Sequence, residues 1–278
     1  MCIIAVKKSN IKLNDSAWDM LSECHESNAD GSGYSYRANG NIYIRKGFFT
    51  FDELKKSVLA QSIDTNKTEI MFHFRIATHG KVAPSTCHPF VSTTSKRILK
   101  LRNTKTRLPV VSHNGIISNM GSGKDNYYSD TMLFIRNYLS KVNTGLHLKS
   151  IRNLIELGID HSKLVIMTLD DTYYIGSSFV TDDDFKGWVF SNGSYEKSYV
   201  KQIQGSLNQS EFAFNQGSYQ YSGWSECDSC GSNELDSDLI DSSEFSNGSE
   251  WYMCKPCVDT WGDSSPSTSK KNTSRYMY

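Results

Sequence analysis

Cys2 is the first residue of this sequence that could carry out chemistry. The chain begins Met-Cys-Ile-Ile-Ala-Val, so removal of Met1 leaves a thiol and a free α-amine on one residue. A terminal amine has a pKa of about 8 and can accept the thiol proton, which makes the sulfur a nucleophile. A small residue also occurs by chance where a strand begins, so Met-Cys alone leaves both interpretations open.

A second reactive group stands at the end of a buried strand, in His-Phe-Arg-Ile-Ala-Thr-His-Gly at 73–80. The Arg75 guanidinium offers a planar fork of N–H donors that matches a carboxylate. Thr78 and His79 follow it in a turn, where they could assist. The alternative is a surface arginine at a strand exit, with His73 as a packed strand histidine.

Asn114 and Gly115 follow another apolar strand. The side-chain amide of Asn114 and the backbone N–H of Gly115 can donate two hydrogen bonds to one oxyanion, and glycine lets the backbone come close. Asn-Gly after a strand is also typical of a hairpin turn. Asp130 follows Ser129 and is either the first-turn acid of a capped helix or a carboxylate that receives the α-ammonium group of an amino acid.

Five motifs, in this order, resemble the class II glutamine amidotransferase domain of the N-terminal nucleophile hydrolases. They are Met-Cys at the start, Asn-x-Asp-Gly-x-Gly-Tyr at 28–34, Arg-x-Ala-Thr-His-Gly at 75–80, His-Asn-Gly at 113–115 and Ser-Asp-Thr at 129–131. The segments 46–54, 87–90 and 191–196 are most similar to stand-alone amidotransferase-like proteins of bacteriophages. Ile3 departs from the glycine that many members have after the nucleophile, and Ile76 from the aromatic residue that some have after the arginine.

The resemblance implies an α+β fold, the four-layer αββα sandwich, and hydrolysis of the side-chain amide of L-glutamine. The site residues it implies are the nucleophile Cys2, the oxyanion donors Asn114 and Gly115, the carboxylate-binding residues Arg75, Thr78 and His79, and the ammonium-binding residue Asp130. No synthase-sized segment follows, so the ammonia is expected to reach a separate synthase in trans, one that modifies a nucleotide or another biosynthetic intermediate. The alternatives are a stand-alone amidohydrolase acting on a γ-glutamyl or other amide, and a non-catalytic protein that binds partners.

Two Cys-x-x-Cys pairs stand 23 residues apart near the end of the chain, at Cys227, Cys230, Cys254 and Cys257. Four thiolates suit a closed tetrahedral Zn²⁺ site, which is structural. The spacing therefore predicts a zinc-ribbon-like module, and an iron–sulfur cluster or a redox-active pair is the alternative. Cys24 is predicted to be a helix-core thiol and Cys87 a loop thiol.

Charge divides the chain near residue 205. Residues 205–265 carry a net charge of −10, residues 266–278 carry +3 and residues 1–204 carry +7. This break predicts an amidotransferase-like domain at 2–204, a polar linker at 205–223, the zinc module at 224–263 and a flexible tail at 264–278. The acidity of the module argues against direct nucleic-acid binding.

Apolar patterns predict the elements that position these motifs. Strands are expected at 2–8, 34–37, 42–46, 69–75, 108–115, 164–169, 172–176 and 188–192, and helices at 15–26, 50–59, 129–139 and 148–157. The last three strands are expected to form a meander. No apolar run approaches a membrane span and no secretory leader pattern is found. A cytoplasmic protein without membrane partners is therefore expected, in the host cytoplasm if a phage encodes it.

Overall fold

The computed structural model of the protein describes residues 2–77, 81–118, 120 and 128–196, and the backbone of four short strands between 224 and 254. The chain divides into two compact units, Met1–Gln216 and Gly217–Tyr278. The predicted linker 205–223 and tail 264–278 lie outside the described residues.

The larger sheet of the first unit has six strands, each antiparallel to its neighbours. Its strands are β1 (Ile3–Lys7), β2 (Ser32–Ala38), β3 (Asn41–Phe48), β4 (Ile70–Phe74), β6 (Asn103–Thr106) and β10 (Trp188–Phe190). They lie in the order β10-β1-β4-β2-β3-β6. The strand that follows Cys2 is therefore central, with β10 on one side and β4 on the other.

The second sheet of this unit has four strands, again antiparallel. They are β5 (Phe90–Val91), β7 (Val110–Asn114), β8 (Lys163–Met167) and β9 (Thr172–Ile175), in the order β5-β7-β8-β9. The strand that ends on Asn114 is thus central as well. The prediction of an α+β chain with antiparallel sheets is confirmed.

Five α-helices accompany the sheets: α1 (Asp15–Glu26), α2 (Phe51–Leu59), α3 (Lys96–Lys100), α4 (Asp130–Asn137) and α5 (Lys149–Leu157). Local signals explain where three of them start. The side chain of Asn14 caps α1, that of Ser129 caps α4, and Thr50 forms a complete capping box with Glu53 at α2. Each cap satisfies backbone N–H groups that have no partner inside the helix.

Alternating side chains of β1 enter different cores, as expected for a strand covered on both faces. Ile3 packs in a cluster with residues of α1 and α2, for example Leu21 and Leu54. Its neighbour Ile4 packs in a second cluster that also contains Val165 of β8. The first sheet therefore shares one core with two helices and another with the second sheet.

A third cluster covers the other side of the second sheet. It contains Val111 of β7 and Ile166 of β8 together with Met132 of α4 and Ile155 of α5. The residues just before these on the same strands, Val110 and Val165, belong to the core that both sheets share. Both faces of β7 and β8 are thus buried.

Local sequence signals predict most elements correctly, including the β2–β3 turn, where Asn39 and Gly40 both have positive φ angles of 50° and 66°. Two expectations are wrong. Helix α4 ends at Asn137, so Leu139 lies in a short 3-10 helix rather than on the face of α4. Strand β10 does not continue the β8–β9 hairpin but pairs with β1 in the other sheet.

The described part of the second unit consists of two small antiparallel sheets. One pairs β11 (Trp224–Glu226) with β12 (Asn233–Leu235), and the other pairs β13 (Leu239–Asp241) with β14 (Tyr252–Cys254). Among the described residues of the whole chain, no helix has both the length and the apolar character needed to cross a membrane.

Candidate active site

Cys2 lies beside the end of β4, where Arg75 stands. The register pairs Ile3 with Phe74, so the next residues outward are Cys2 and Arg75. The half-buried Cys2 sulfur is 3.4 Å from the backbone nitrogen of Ile76, which donates to it, and 3.4 Å from the carbonyl oxygen of Ile76. Two motifs that are 73 positions apart in the sequence are therefore adjacent in space.

Burial controls the acidity of this thiol. Desolvation raises the pKa of Cys2 above its ordinary value, and the Ile76 N–H and the positive charge of Arg75 act in the opposite direction. A buried sulfur loses its proton less readily unless a base is close by. A nucleophilic role for Cys2 therefore requires a neighbouring proton acceptor, which its own α-amine would supply.

Arg75 is an interior residue and not a surface arginine. It is 3% exposed, and its Nη1 donates to the hydroxyl of Thr86 at 2.8 Å and to the carbonyl of Lys81 at 3.0 Å. Its backbone is bonded on both sides to the loop at 30–31. The interpretation of Arg75 as a solvent-exposed strand end is therefore wrong, and its guanidinium is held in a defined orientation.

Asp30, in the Asn-Ala-Asp-Gly loop before β2, fixes the chain beyond Arg75. Its Oδ2 accepts the N–H of Ala77 at 2.8 Å, one residue after the N–H that reaches the Cys2 sulfur. The carboxylate of Asp30 thus helps to orient the Ile76–Ala77 peptide, whose carbonyl oxygen lies 3.4 Å from the Cys2 sulfur. Thr78 and His79, which are predicted to assist Arg75, lie outside the described residues.

Asn114 is the last residue of β7, Gly115 follows it, and the two do not form a hairpin turn. Strand β7 pairs with β5 and β8, which are distant in sequence. Gly115 has a φ of +139°, and a Cβ atom built on it would lie 2.3 Å from the hydroxyl of Ser162. Only glycine fits this close approach, and the segment is packed against Ser162. The hairpin alternative is wrong, because the partners of β7 are strands far from it in the sequence.

Two hydrogen-bonding residues connect Asn114 with the start of β1. The hydroxyl of Ser191 accepts the N–H of Ile4 and lies 2.9 Å from Nδ2 of Asn114. The neighbouring Asn192 donates its side-chain N–H to the carbonyl of Cys2 at 2.8 Å. Cys2 and Asn114 are therefore held by adjacent residues of one segment.

Asp130 starts α4 as predicted, and its carboxylate points back toward the end of β7. Its Oδ2 accepts the N–H of Ile117 at 2.8 Å and its Oδ1 accepts the N–H of Thr131 at 2.6 Å. The hydroxyl of Thr131 lies 2.7 Å from Nδ1 of His113. Asp130 is therefore coupled to the segment that carries Asn114, and a carboxylate has further lone pairs for an ammonium group.

Three histidines lie buried near these segments: His73 of β4, His88 before β5 and His113 of β7. The rings of His73 and His88 are stacked with centroids 4.2 Å apart, and Nε2 of His73 is 2.9 Å from the carbonyl oxygen of His113. Burial lowers the pKa of His73 to about 3 and that of His113 to about 4, and it lowers the pKa of His88 well below its ordinary value. All three rings are therefore neutral at pH 7. The packed histidine predicted at position 73 is confirmed.

A fully buried lysine lies in the same region. Lys46 of β3 donates to the carbonyls of Ser85 and Leu99 and lies over the ring of Phe90, with its nitrogen 3.9 Å from the ring centroid. Burial lowers its pKa to about 7. Nearby Cys87 is also buried, and desolvation raises the pKa of its thiol to about 11. Neither group is exposed for chemistry with a substrate.

The predicted zinc ligands fall largely beyond the described residues. Cys227, Cys230 and Cys257 lie outside them, and Cys254 ends β14, of which only the backbone is described. In the part of the chain that the structure describes, no group of three or more His, Cys, Asp or Glu side chains could hold a metal ion. The zinc site stays a prediction. Cys24 is buried in α1, as predicted for a helix-core thiol.

In the described residues, the Cys2 sulfur contacts the backbone of Ile76, next to Arg75, and Ser191 links the start of β1 to Asn114. Asp130 is hydrogen-bonded to Ile117 and Thr131. Comparison of the chain with known protein-family models and with curated proteins finds no match in either case. The resemblance to class II glutamine amidotransferases therefore stays a prediction, supported by the order of the motifs and by the geometry around Cys2.

Proposed function

We propose that this protein is a class II glutamine amidotransferase that hydrolyses the side-chain amide of L-glutamine through Cys2. The observation that carries the proposal is the hydrogen-bonded segment 191–192, which joins the Cys2 strand to Asn114. The contact of the Cys2 sulfur with Ile76, next to Arg75, also supports the proposal. A chance Met-Cys start gives no reason for these links between the motifs.

Removal of Met1 is the first requirement of the proposal. The α-amine of Cys2 then takes the thiol proton, and the sulfur forms a bond to the side-chain carbonyl carbon of glutamine. The carbonyl oxygen becomes an oxyanion that accepts hydrogen bonds from Nδ2 of Asn114 and the N–H of Gly115. Collapse of this intermediate breaks the C–N bond, and the amine returns its proton to the leaving ammonia.

The second half of the reaction releases glutamate. The product of the first half is a γ-glutamyl thioester on Cys2. Water attacks its carbonyl carbon while the α-amine accepts a water proton, and the sulfur leaves and is protonated again by that amine.

Two charged residues are proposed to bind the amino-acid end of glutamine. Arg75, assisted by Thr78 and His79, pairs with the α-carboxylate, and Asp130 pairs with the α-ammonium group. The fixed Nη1 of Arg75 and the engaged carboxylate of Asp130 support this assignment, since neither side chain must reorganise to bind. Preorganised charges of this kind favour a free amino acid over an amide inside a peptide chain.

The fold we propose for residues 2–204 is the four-layer αββα sandwich of N-terminal nucleophile hydrolases. Its support is the set of three buried clusters: one between α1, α2 and the six-stranded sheet, one shared by both sheets, and one between the four-stranded sheet and α4 and α5. We also propose that Cys227, Cys230, Cys254 and Cys257 bind a structural zinc ion in the second unit.

The acceptor of the ammonia is proposed to be a separate synthase, on the resemblance to stand-alone amidotransferase-like proteins. A stand-alone amidohydrolase would carry the same site residues without that partner. A glutaminase assay with and without co-purified proteins separates the two, because only the first is expected to be stimulated by a partner.

The direct test labels the nucleophile. Diazo-oxonorleucine, a glutamine analogue, should add once per chain, and peptide mass analysis should place the adduct on Cys2, with Met1 absent from the intact mass. Cys2→Ala should abolish both labelling and glutaminase activity, while Cys24→Ala should preserve both. Retained Met1, or a saturating reagent that leaves Cys2 unmodified, contradicts the proposal.

A further inference from the structure

Ser191 is a fully buried residue whose N–H, carbonyl and hydroxyl groups are all hydrogen-bonded. Its N–H donates to the carbonyl of Ile4 at 2.9 Å, and its hydroxyl accepts the N–H of Ile4 at 2.9 Å. Its carbonyl accepts from Nζ of Lys163, and its hydroxyl also lies 2.9 Å from the amide of Asn114. One serine therefore connects the start of β1 with β7 and β8.

The hydroxyl of Ser191 can determine how the amide of Asn114 is oriented. A hydroxyl has one proton and two lone pairs, and one lone pair is used by the N–H of Ile4. The other lone pair accepts one N–H of Asn114 Nδ2 at 2.9 Å, which leaves the second N–H of that amide for an oxyanion. The Oδ1 atom of Asn114 is buried and has no hydrogen-bond partner within the described residues. Rotation of the amide by 180° exchanges Oδ1 and Nδ2 with little change in shape, so the contact of Nδ2 with Ser191 opposes that rotation.

We propose that Ser191 is a positioning residue that holds the Asn114 amide with Nδ2 turned toward the oxyanion formed beside Cys2. This inference rests on the proposed glutamine hydrolysis. Asn192 binds the carbonyl of Cys2 at 2.8 Å, so the same short segment sets the position of the nucleophile and the orientation of the donor. Without the Ser191 hydroxyl, the amide is free to present Oδ1, whose lone pairs repel the oxyanion.

This role affects one step of the reaction. The oxyanion exists only after the sulfur has attacked, so losing its donor lowers kcat and leaves KM nearly unchanged. Alkylation of Cys2 by iodoacetamide forms a sulfur–carbon bond and releases iodide, and no oxyanion develops. The rate of that alkylation reports the reactivity of the sulfur alone, and it should not depend on Ser191.

The test compares Ser191→Ala with the wild-type chain. We expect kcat for glutamine to fall about 100-fold, while KM and the iodoacetamide rate at Cys2 change less than about twofold. Ser191→Thr retains a hydroxyl and should restore kcat. Ser35→Ala is the matched control, because Ser35 is also fully buried but its hydroxyl donates to the sulfur of Met167, away from Cys2 and Asn114. That variant should keep the wild-type kcat.

Two results overturn the inference. One is an unchanged kcat in Ser191→Ala, and the other is a parallel loss of kcat, alkylation rate and thermal stability, which indicates a structural role. Ser191→Cys, which nearly keeps the side-chain volume, repeats the test if the alanine variant does not fold.

A measurement without turnover separates this inference from the proposed function. The side-chain amide of Asn114 gives its own signals in a ¹⁵N–¹H NMR spectrum, and these should shift in Ser191→Ala and return in Ser191→Thr. If the wild-type chain hydrolyses no glutamine, the proposed function fails while this spectrum still tests the positioning of the amide. Unchanged Asn114 signals in Ser191→Ala contradict the positioning role.

Discussion

Gly115 is the residue at which the backbone restricts the candidate site most strongly. Its φ of +139° is rarely adopted by residues with a side chain, and a Cβ would overlap the hydroxyl and the Cβ of Ser162 at 2.3 and 2.7 Å. The same hydroxyl donates to the carbonyl of Ile116 at 3.0 Å. The peptide that follows Asn114 is therefore held against Ser162, which fixes the direction in which the proposed Gly115 donor points.

The substitution Gly115→Ala should destabilise the protein more than the same change at a glycine in open space. We expect the free energy of unfolding to fall by about 3 kcal/mol, because backbone strain and overlap with Ser162 add. Glutaminase activity should be lost as the segment shifts. Urea unfolding and a glutaminase assay measure the two effects.

Gly40→Ala is the matched control for this prediction. Gly40 also has a positive φ of +66°, but a Cβ there would meet nothing within 4 Å. Only the conformational cost remains, so the loss should be about 1 kcal/mol with activity retained. Equal losses in the two variants would mean that the contact with Ser162 does not restrict the site.

Sequence motifs predict residues that carry charge or reactivity, but they miss the residues that hold them in place. Arg75, Asn114 and Asp130 stand in recognisable patterns at the ends of elements. Ser191 and Asn192 stand in a segment that takes part in the family resemblance, but nothing in the local sequence indicates that they hold Cys2 or Asn114 in place. Their role depends on which strand pairs with β1, and this pairing involves residues about 190 positions apart.

At the scale of elements, features fixed by neighbouring residues could be predicted, and features fixed by the pairing of distant strands could not. The capping box at Thr50 and the Asn39–Gly40 turn were predictable because their partners lie within a few residues. The position of β10 was not, since short strands that follow a hairpin tend to extend it, whereas β10 pairs with β1 instead. That pairing places Ser191 beside Ile4 and completes the site.

Three of the buried histidines, His73, His88 and His113, connect segments of both sheets and should make stability depend on pH. His73, His88 and His113 have pKa values lowered by burial, whereas an unfolded chain restores them to about 6.5. Below that pH the unfolded chain binds protons that the folded chain does not. Stability is therefore fully present above pH 6.5 and is lost as the pH falls toward 4, by up to about 1.4 kcal/mol per pH unit for each histidine.

Urea unfolding between pH 7.5 and 4.5 measures this slope. His88→Gln removes one of the three groups and should make the stability of the protein less dependent on pH over this range. His147→Gln removes an exposed histidine instead and should leave the slope unchanged. A slope that is the same in His88→Gln as in the wild-type chain would mean that His88 is protonated in the folded protein.

At the scale of the whole molecule, the two units differ in how they can be stabilised. The first unit buries three apolar clusters between helices and sheets. The described strands of the second unit form only two-stranded sheets, and residues 205–265 carry a net charge of −10. A two-stranded sheet is marginal on its own in water, and a small polar unit usually needs a metal or a disulfide.

The second unit is therefore expected to depend on zinc bound by its four cysteines. Metal analysis should give about one zinc per chain, and a chelator should make residues 217–278 more sensitive to protease, because metal binding and folding are coupled. Replacing Cys227 and Cys254 with serine should remove the zinc while glutaminase activity in the first unit persists. The control variant Cys24→Ala, which removes a buried thiol of α1, should retain the zinc. A metal-free chain whose C-terminal residues resist protease would show that this unit folds without the metal.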